Sequence, residues 1–305
     1  MRKVSILICT FNRPELLRKL LQALAPQAGL HESTVVVVDN GTEPSEAIAA
    51  AFQKDMNIVY QRLAEPGLVS ARNAALRLAL ARGPEFLAFI DDDEMPETGW
   101  LSALIERLEE SRADFATGPV VPDYAVPPPR WAVEGEYFQA SADSYRTSNL
   151  IMRAACVPSD ESQWFRPEFN FSGGEDDEFL SRLAAGGAIH TMAEAAIVRE
   201  AVPAARMKRR YIWRRGLRDG VAIAQIISLR STSRAGFAAG IICRAAQKLG
   251  YALNHLFWTV KSPWRFNNAI SDFAAVGGIV LSTMGVSIAF YGPNQRRRPQ
   301  EVGHA

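Results

Sequence analysis

The chain has 305 residues, 48% of them hydrophobic and 22% charged, with a formal net charge of +1. That length buries a large core in one domain or two, and that composition excludes wholesale disorder. Cys9, Cys156 and Cys243 are scattered and show no C-x-x-C spacing, which excludes a disulfide framework and a cysteine zinc site and points to a reducing compartment.

The N-terminus, "MRKVSILICTFNRPE", begins with basic residues, but its apolar run stops at Phe11 without a small-residue cleavage site. It reads as a first strand rather than a signal peptide. "RPELLRKLLQALAPQ" then places Leu16, Leu17, Leu20, Leu21 and Leu24 at helical spacing behind Pro14, a residue suited to a helix start. "STVVVVDNG" is a continuous β-branched run, the pattern of a strand covered on both faces. "SEAIAAAFQK" reads as helix, "NIVYQRL" as strand, "LVSARNAALRLALARG" as a helix stopped by Gly83, and "EFLAFI" as the next strand.

This β-α alternation predicts a parallel sheet flanked by helices, with ligands at the carboxyl ends of the strands. The polar turns Thr10–Arg13, Asp39–Gly41 and Asp91–Glu94 then share one sheet edge. Further on, "TGPVVPDYAVPPPRW" reads as a surface crossing and "SNLIMRAAC" as a strand. "FNFSGGEDDEFLSRLAAGGA" reads as a loop leading into a helix near Glu175. The four histidines offer no ligand spacing; Trp100 is assigned to the core, and Trp131 to the core or to a pocket wall.

Two acidic motifs carry candidate chemistry. "FLAFIDDDEMPE" sets Asp91, Asp92 and Asp93 directly after an apolar run. On an extended chain, alternation turns Asp91 and Asp93 to one site and Asp92 away from it. Such hard oxygen ligands suit Mg²⁺ or Mn²⁺ and a phosphate, while the plainer alternative is a solvated turn. "GGEDDEFLSRL" puts four acids at a helix start. Acids there complement the helix dipole, but four exceed what capping needs, and a carboxylate crowded by others is suited to general-base work.

With "VSILICTFNRPELLRKLLQAL", "VVVVDNG" and "GLVSARNAAL", these motifs resemble the family 2 inverting glycosyltransferases over about residues 1–200. The resemblance implies the α/β GT-A nucleotide-diphospho-sugar transferase fold, a Rossmann-like, mostly parallel sheet flanked by helices. "REAVPAARMKRRYIWRRGLRDG" narrows the likeness to bacterial exopolysaccharide glycosyltransferases, notably those of succinoglycan assembly. By this resemblance Thr10, Phe11 and Arg13 hold the nucleotide and Asp39 contacts its base, typically uracil. Arg72 and Asn73 line the nucleotide-sugar pocket. Asp91 and Asp93 are the D-x-D, Asp93 being the direct metal ligand and Asp92 standing among the donor-side residues. Asp176 is the catalytic base, with Glu175 as its neighbour and possible acceptor contact; the extra acid Asp177 leaves open which carboxylate acts. The implied activity is hexose transfer from a UDP-sugar, with Mn²⁺ or Mg²⁺, to a lipid-linked or free glycan acceptor. The alternative of a sugar nucleotidyltransferase lacks support, because no G-x-G-x-x-G-like phosphate loop follows the first strand, and an idle membrane-bound scaffold need not keep all three of Asp91, Asp93 and Asp176.

The predicted division is a catalytic domain over 1–205 and a basic, apolar, helical region over 206–305 that associates with membrane. "RMKRRYIWRRGLR" has seven basic residues in thirteen, interleaved with Tyr211 and Trp213. It reads as a solvated helix face, or as a surface for anionic membrane or lipid-linked pyrophosphate, a reading that the resemblance favours. No recognised module supports nucleic acid as a partner. Arg214, Arg215 and Arg218 are also candidates for the donor diphosphate. Helical, alanine-rich segments follow at 219–229 and 235–258. Residues 273–291 are uncharged and just long enough to span a bilayer, but their glycines with Ser282, Thr283 and Ser287 make a weak span. A buried core helix or an interfacial helix fits equally, and Arg296–Arg298 follow. The preferred placement is peripheral or monotopic, on the cytoplasmic side of the bacterial inner membrane.

Overall fold

Four consecutive valines explain the architecture. Val35 and Val37 enter one hydrophobic layer and Val36 and Val38 another, all four fully buried, because side chains alternate across a strand. The computed structural model describes residues 1–139, 145–286, 288 and 290. In chain order its elements are β1 (Lys3–Thr10), α1 (Pro14–Ala28), β2 (Glu32–Asp39), α2 (Glu46–Ala51) and β3 (Ile58–Arg62). Then come α3 (Leu68–Leu80), β4 (Phe86–Phe89), β5 (Glu94–Pro96), α4 (Trp100–Ser111), β6 (Phe115–Thr117) and β7 (Val120–Tyr124). They are followed by α5 (Arg130–Glu134), β8 (Leu150–Arg153), α6 (Glu175–Ala185), β9 (His190–Met192) and β10 (Val198–Val202). Three long helices close the described chain, α7 (Arg209–Arg230), α8 (Arg234–Trp258) and α9 (Arg265–Thr283).

The main sheet has the order β3-β2-β1-β4-β8-β6-β9. It is mostly parallel, with β8 antiparallel between β4 and β6, as the alternation predicts. Leucines of α1 and α4 cover one face with Trp100, and alanines of α3 with Phe179 of α6 cover the other. Thr10 is in register with Asp39, so the turns after β1 and β2 emerge side by side.

A second sheet, β5-β10-β7, was not foreseen. The proline-rich crossing contains β7, which runs parallel to β10, and Glu94 of β5 is opposite Glu200 of β10. Asn149 joins the two sheets: its Oδ1 accepts from Trp100 Nε1 (2.7 Å), and its Nδ2 donates to the carbonyls of Pro119 (2.9 Å) and Ala196 (2.7 Å). Trp100 is fully buried as expected. Trp131 packs in a smaller aromatic cluster with Tyr137 and Phe138 (centroids 5.5 and 6.1 Å).

The helices after residue 205 pack by close backbone approach. A Cβ on Gly216 or Gly220 of α7 would lie 2.3 or 2.0 Å from the carbonyl oxygen of Ser271 or Ala275 in α9, so only glycine admits this crossing. Among the described residues no helix is long and apolar enough to cross a membrane. Of the stretch 273–291, the part within α9 takes the buried-helix alternative at Ala274, Ala275, Gly278 and Ile279. Ser287 and Arg296–Arg298 lie outside the described residues.

Candidate active site

The chain leaves β4 at Phe89 and turns, with Glu94 N donating to the Asp91 carbonyl (3.1 Å). Strand alternation therefore does not govern the three acids. The expectation that Asp91 and Asp93 pair on one side while Asp92 looks away is corrected: each acid meets an arginine from another element. Asp92 turns toward the end of β1, accepting from Thr10 Oγ1 (2.8 Å) and Arg13 Nη1 (2.8 Å). Asp93 Oδ2 accepts from the same Arg13 nitrogen (3.2 Å) and from Arg206 Nη2 (3.0 Å). Asp91 stands 3.7 Å from Arg72 Nη2, with 45% of its side chain exposed.

Charge is unbalanced here. Desolvation in the crowded recess, opposed by Arg72 and reinforced by Asp93, Asp92 and Glu200, pushes the Asp91 carboxyl up to about 6. Burial first, then Asp91 and Glu200, raise Glu94 well above the usual range, although its Oε2 accepts from Asp91 N (3.0 Å). Arg13 is held charged most strongly by Asp92. Burial opposes the charge on Arg206, but Glu200, Tyr211 and Asp93 outweigh it. Arg206 also pairs with Glu200.

The second acidic motif joins the first through Arg72. This buried guanidinium pairs with Glu175 at the start of α6 as well as facing Asp91, and it lies over the Phe165 ring (5.8 Å). The two motifs are thus brought together across one side chain. Local geometry fixes both partners. The loop before α3 is held where Asn40 Nδ2 donates to the Gly67 carbonyl (2.7 Å) and Asn170 Oδ1 accepts from Ser70 N (3.2 Å). The turn into α6 needs Gly173 (φ +80°) and Gly174 (φ +93°), and a Cβ on Gly174 would meet Ala222 Cβ of α7 at 2.5 Å. Asp176 follows, partly exposed, its Oδ1 accepting from Asp177 N (2.9 Å). Burial and Asp176 raise the Asp177 carboxyl.

Two assigned residues have other work in this conformation. Asp39 is fully buried and both its oxygens are engaged by its own loop: Gly41 N (2.8 Å), Ser45 N (2.7 Å) and Tyr60 Oη (3.0 Å). It thereby shapes the loop after β2. Asn73 uses its amide on the backbone of Phe165, donating to O (2.8 Å) and accepting from N (3.1 Å), and so positions the ring under Arg72. Phe11 lies partly buried beside Thr10 at the strand-end loop.

Residues missed from sequence include Arg206, which was absorbed into a run of similar charges, and Asn12. At φ +55°, Asn12 accepts through Oδ1 from Thr42 N (2.7 Å) and Glu43 N (3.2 Å), closing the first two loops on each other. Arg146 was missed too; burial and Arg215 lower its pKa, while Asp176, Glu200 and Glu94 oppose them. Within the basic run, Arg215 stacks on Tyr137 (5.5 Å), Arg209 on Phe266 (5.0 Å), and Arg218 pairs with Asp219 (3.0 Å).

A divalent cation fits this donor set. The acids exceed their local compensation, and Asp91 is both crowded and reachable. No group of three or more His, Cys, Asp or Glu side chains in ligand arrangement occurs among the described residues, so water and substrate oxygens would complete the shell, as suits Mg²⁺.

Comparisons with known proteins bear on the fold and the family. The succinoglycan biosynthesis protein ExoM of Rhizobium meliloti is 29% identical over 238 residues, covering 74% of this chain and 75% of that protein. The GalNAc(5)-diNAcBac-PP-undecaprenol β-1,3-glucosyltransferase of Campylobacter jejuni is 29% identical over 116 residues, 37% of each chain. The mannosyltransferase PcManGT of Pyrobaculum calidifontis, solved with GDP-Man and Mn²⁺, superposes with TM-score 0.61 at 16% identity, covering 92% of this chain and 88% of that one. Residues 5–168 match the family described as glycosyl transferase family 2. The chain belongs to glycosyl transferase family 2.

Proposed function

We propose that this transferase moves a hexose from a UDP-sugar to a glycan acceptor carried on a polyprenyl diphosphate, inverting the anomeric centre, during exopolysaccharide or cell-surface polysaccharide synthesis. The observation that carries the reading is the meeting of the two acidic motifs across Arg72. It supports a donor diphosphate at the Asp91–Asp93 end and an acceptor hydroxyl at the Glu175–Asp176 end. The succinoglycan and undecaprenol-linked relatives support the acceptor class; the proposed setting is the cytoplasmic face of the membrane.

Asp93 and Asp91 would hold Mn²⁺ or Mg²⁺, which supplies Lewis-acid neutralisation of the departing diphosphate when bound. Arg13 orients Asp92 and Asp93 by donating to both. Asp176 accepts the proton of the acceptor hydroxyl. The oxygen then bonds to the anomeric carbon on the face opposite the diphosphate, which departs with the bonding electrons. One displacement needs one base, unlike the paired carboxylates of a retaining hydrolase.

Calorimetric titration with UDP, with and without Mn²⁺, on wild type and Asp93→Ala tests the reading. Metal-dependent binding lost in the variant is the expected outcome. Absence of UDP binding by folded wild type in either condition overturns the donor assignment.

A further inference from the structure

The charge of the chain divides sharply along its length. Residues 1–205 hold 18 Lys and Arg against 30 Asp and Glu, while residues 206–305 hold 16 against 3. Within that basic final third, α8 contains no acidic residue. It packs on α9, where Lys248 Nζ donates to Asp272 Oδ1 (2.9 Å), and Ala252 is buried. Away from that contact, Ile242, Leu249, Leu253 and Leu256 of α8 recur at steps of three, four and seven residues and therefore share one face, and Val260 follows in the turn past the helix end. They are open to solvent: Ile242 is 67% exposed, Leu253 53% and Val260 91%, with Phe257 at 74% beside them. An apolar stripe of this length left open to water marks a docking surface.

We infer that this face of α8 is the surface by which the protein lies on an anionic lipid bilayer, helix axis parallel to the membrane plane. This rests on the membrane-side part of the proposed function and assigns it to named residues. It also shifts the contact from 273–291, whose described helix is buried against α7, to the preceding helix.

Charge decides the occupant. A second copy would bring two strongly basic helical regions together. The chain's own residues 291–305 are polar and carry Arg296–Arg298, so they supply neither apolar cover nor opposite charge. An anionic phospholipid surface supplies both: headgroups attract the excess Lys and Arg, and the acyl boundary accepts the apolar stripe.

Flotation of the full chain with vesicles of phosphatidylcholine, alone or mixed with phosphatidylglycerol, tests this. Wild type is compared with the pair Leu253→Glu and Phe257→Glu, and with the milder pair Leu253→Ala and Phe257→Ala. Wild type is expected to float with the anionic vesicles only, less so as salt rises and screens the attraction. The glutamate pair should lose roughly tenfold or more of that binding, and the alanine pair part of it, with circular dichroism and UDP titration unchanged. Wild type remaining unbound to both vesicles overturns the inference, as does undiminished flotation of the glutamate pair. A wild-type dimer that the glutamate pair makes monomeric, without vesicle binding, assigns the face to a second copy instead. Lost UDP binding with flotation intact would overturn the donor assignment and leave the docking face standing.

Discussion

Arg72 is surrounded by acids from both motifs, so its single charge serves two buried or crowded carboxylates. Removing one member of a buried ion pair costs about 3–5 kcal/mol, because the other is left uncompensated. Glu175→Gln should therefore lower the melting temperature sharply, with the neighbouring Asp91 sparing part of the loss by keeping Arg72 paired. A thermal double-mutant cycle with Arg72→Met should give a coupling of about 2 kcal/mol; additive effects would dissolve the pairing. Asp91 is a different case. Its carboxyl is pushed up to about 6 in the fold from 3.8, so the folded state binds protons more tightly than the unfolded one. Ionisation of this group above pH 6 costs stability; as pH falls through 6 toward 3.8 the cost is relieved. In chelator at pH 7.5, Asp91→Asn should stabilise the chain by about 1 kcal/mol, since solvent screens a half-exposed group. Calorimetric melting should show this gain vanish near pH 4, and the same variant should weaken Mn²⁺-dependent UDP binding. The sequence announced these acids but not their partners: Arg206 lies more than a hundred positions from Asp93 and looks like every other residue in its basic run.

At the scale of elements, strands and helices up to β4 were legible because each obeys its own period. The valines of β2 and the leucines of α1 sort onto faces without help from the rest of the chain. The sheet of β5, β10 and β7 was hidden, since three- and five-residue strands rich in proline and charge show no alternation, and only pairing with distant segments makes them strands. The crossing of α7 and α9 was hidden for a related reason: glycines in a helix read as weakness until the partner backbone occupies the space. Gly220→Val should force the helices apart or abolish packing, destabilising by roughly 2–4 kcal/mol. Gly250→Ala in α8, where nothing lies within 4 Å of the added carbon, should be neutral or slightly stabilising. Denaturant titration of both variants checks the pair, and equal effects would refute the close-approach argument.

Across the whole molecule, the division predicted at residue 205 is crossed by contacts that the site needs. Arg206 donates to Asp93, Ser172 Oγ donates to Gln225 Oε1 (2.8 Å), and Gly174 closes on Ala222. A fragment of residues 1–205 should therefore fail to bind UDP even where it remains soluble, which titration of the fragment beside the full chain measures. The overall fold was legible because a parallel sheet directs its strand-end loops to one edge. The dependence of that edge on the last helices was not, since no local pattern records which surface a basic helix will meet. The reach of Arg206 also sets where such enzymes can exchange parts. A chimera joined between Ala205 and Arg206 inherits its site arginine from the incoming segment, so the seam is silent only when that segment brings a guanidinium to the same place. A foreign helical segment lacking it would leave Asp93 with Arg13 alone, so a swap meant to change only the helices would alter the Asp91–Asp93 end of the site as well.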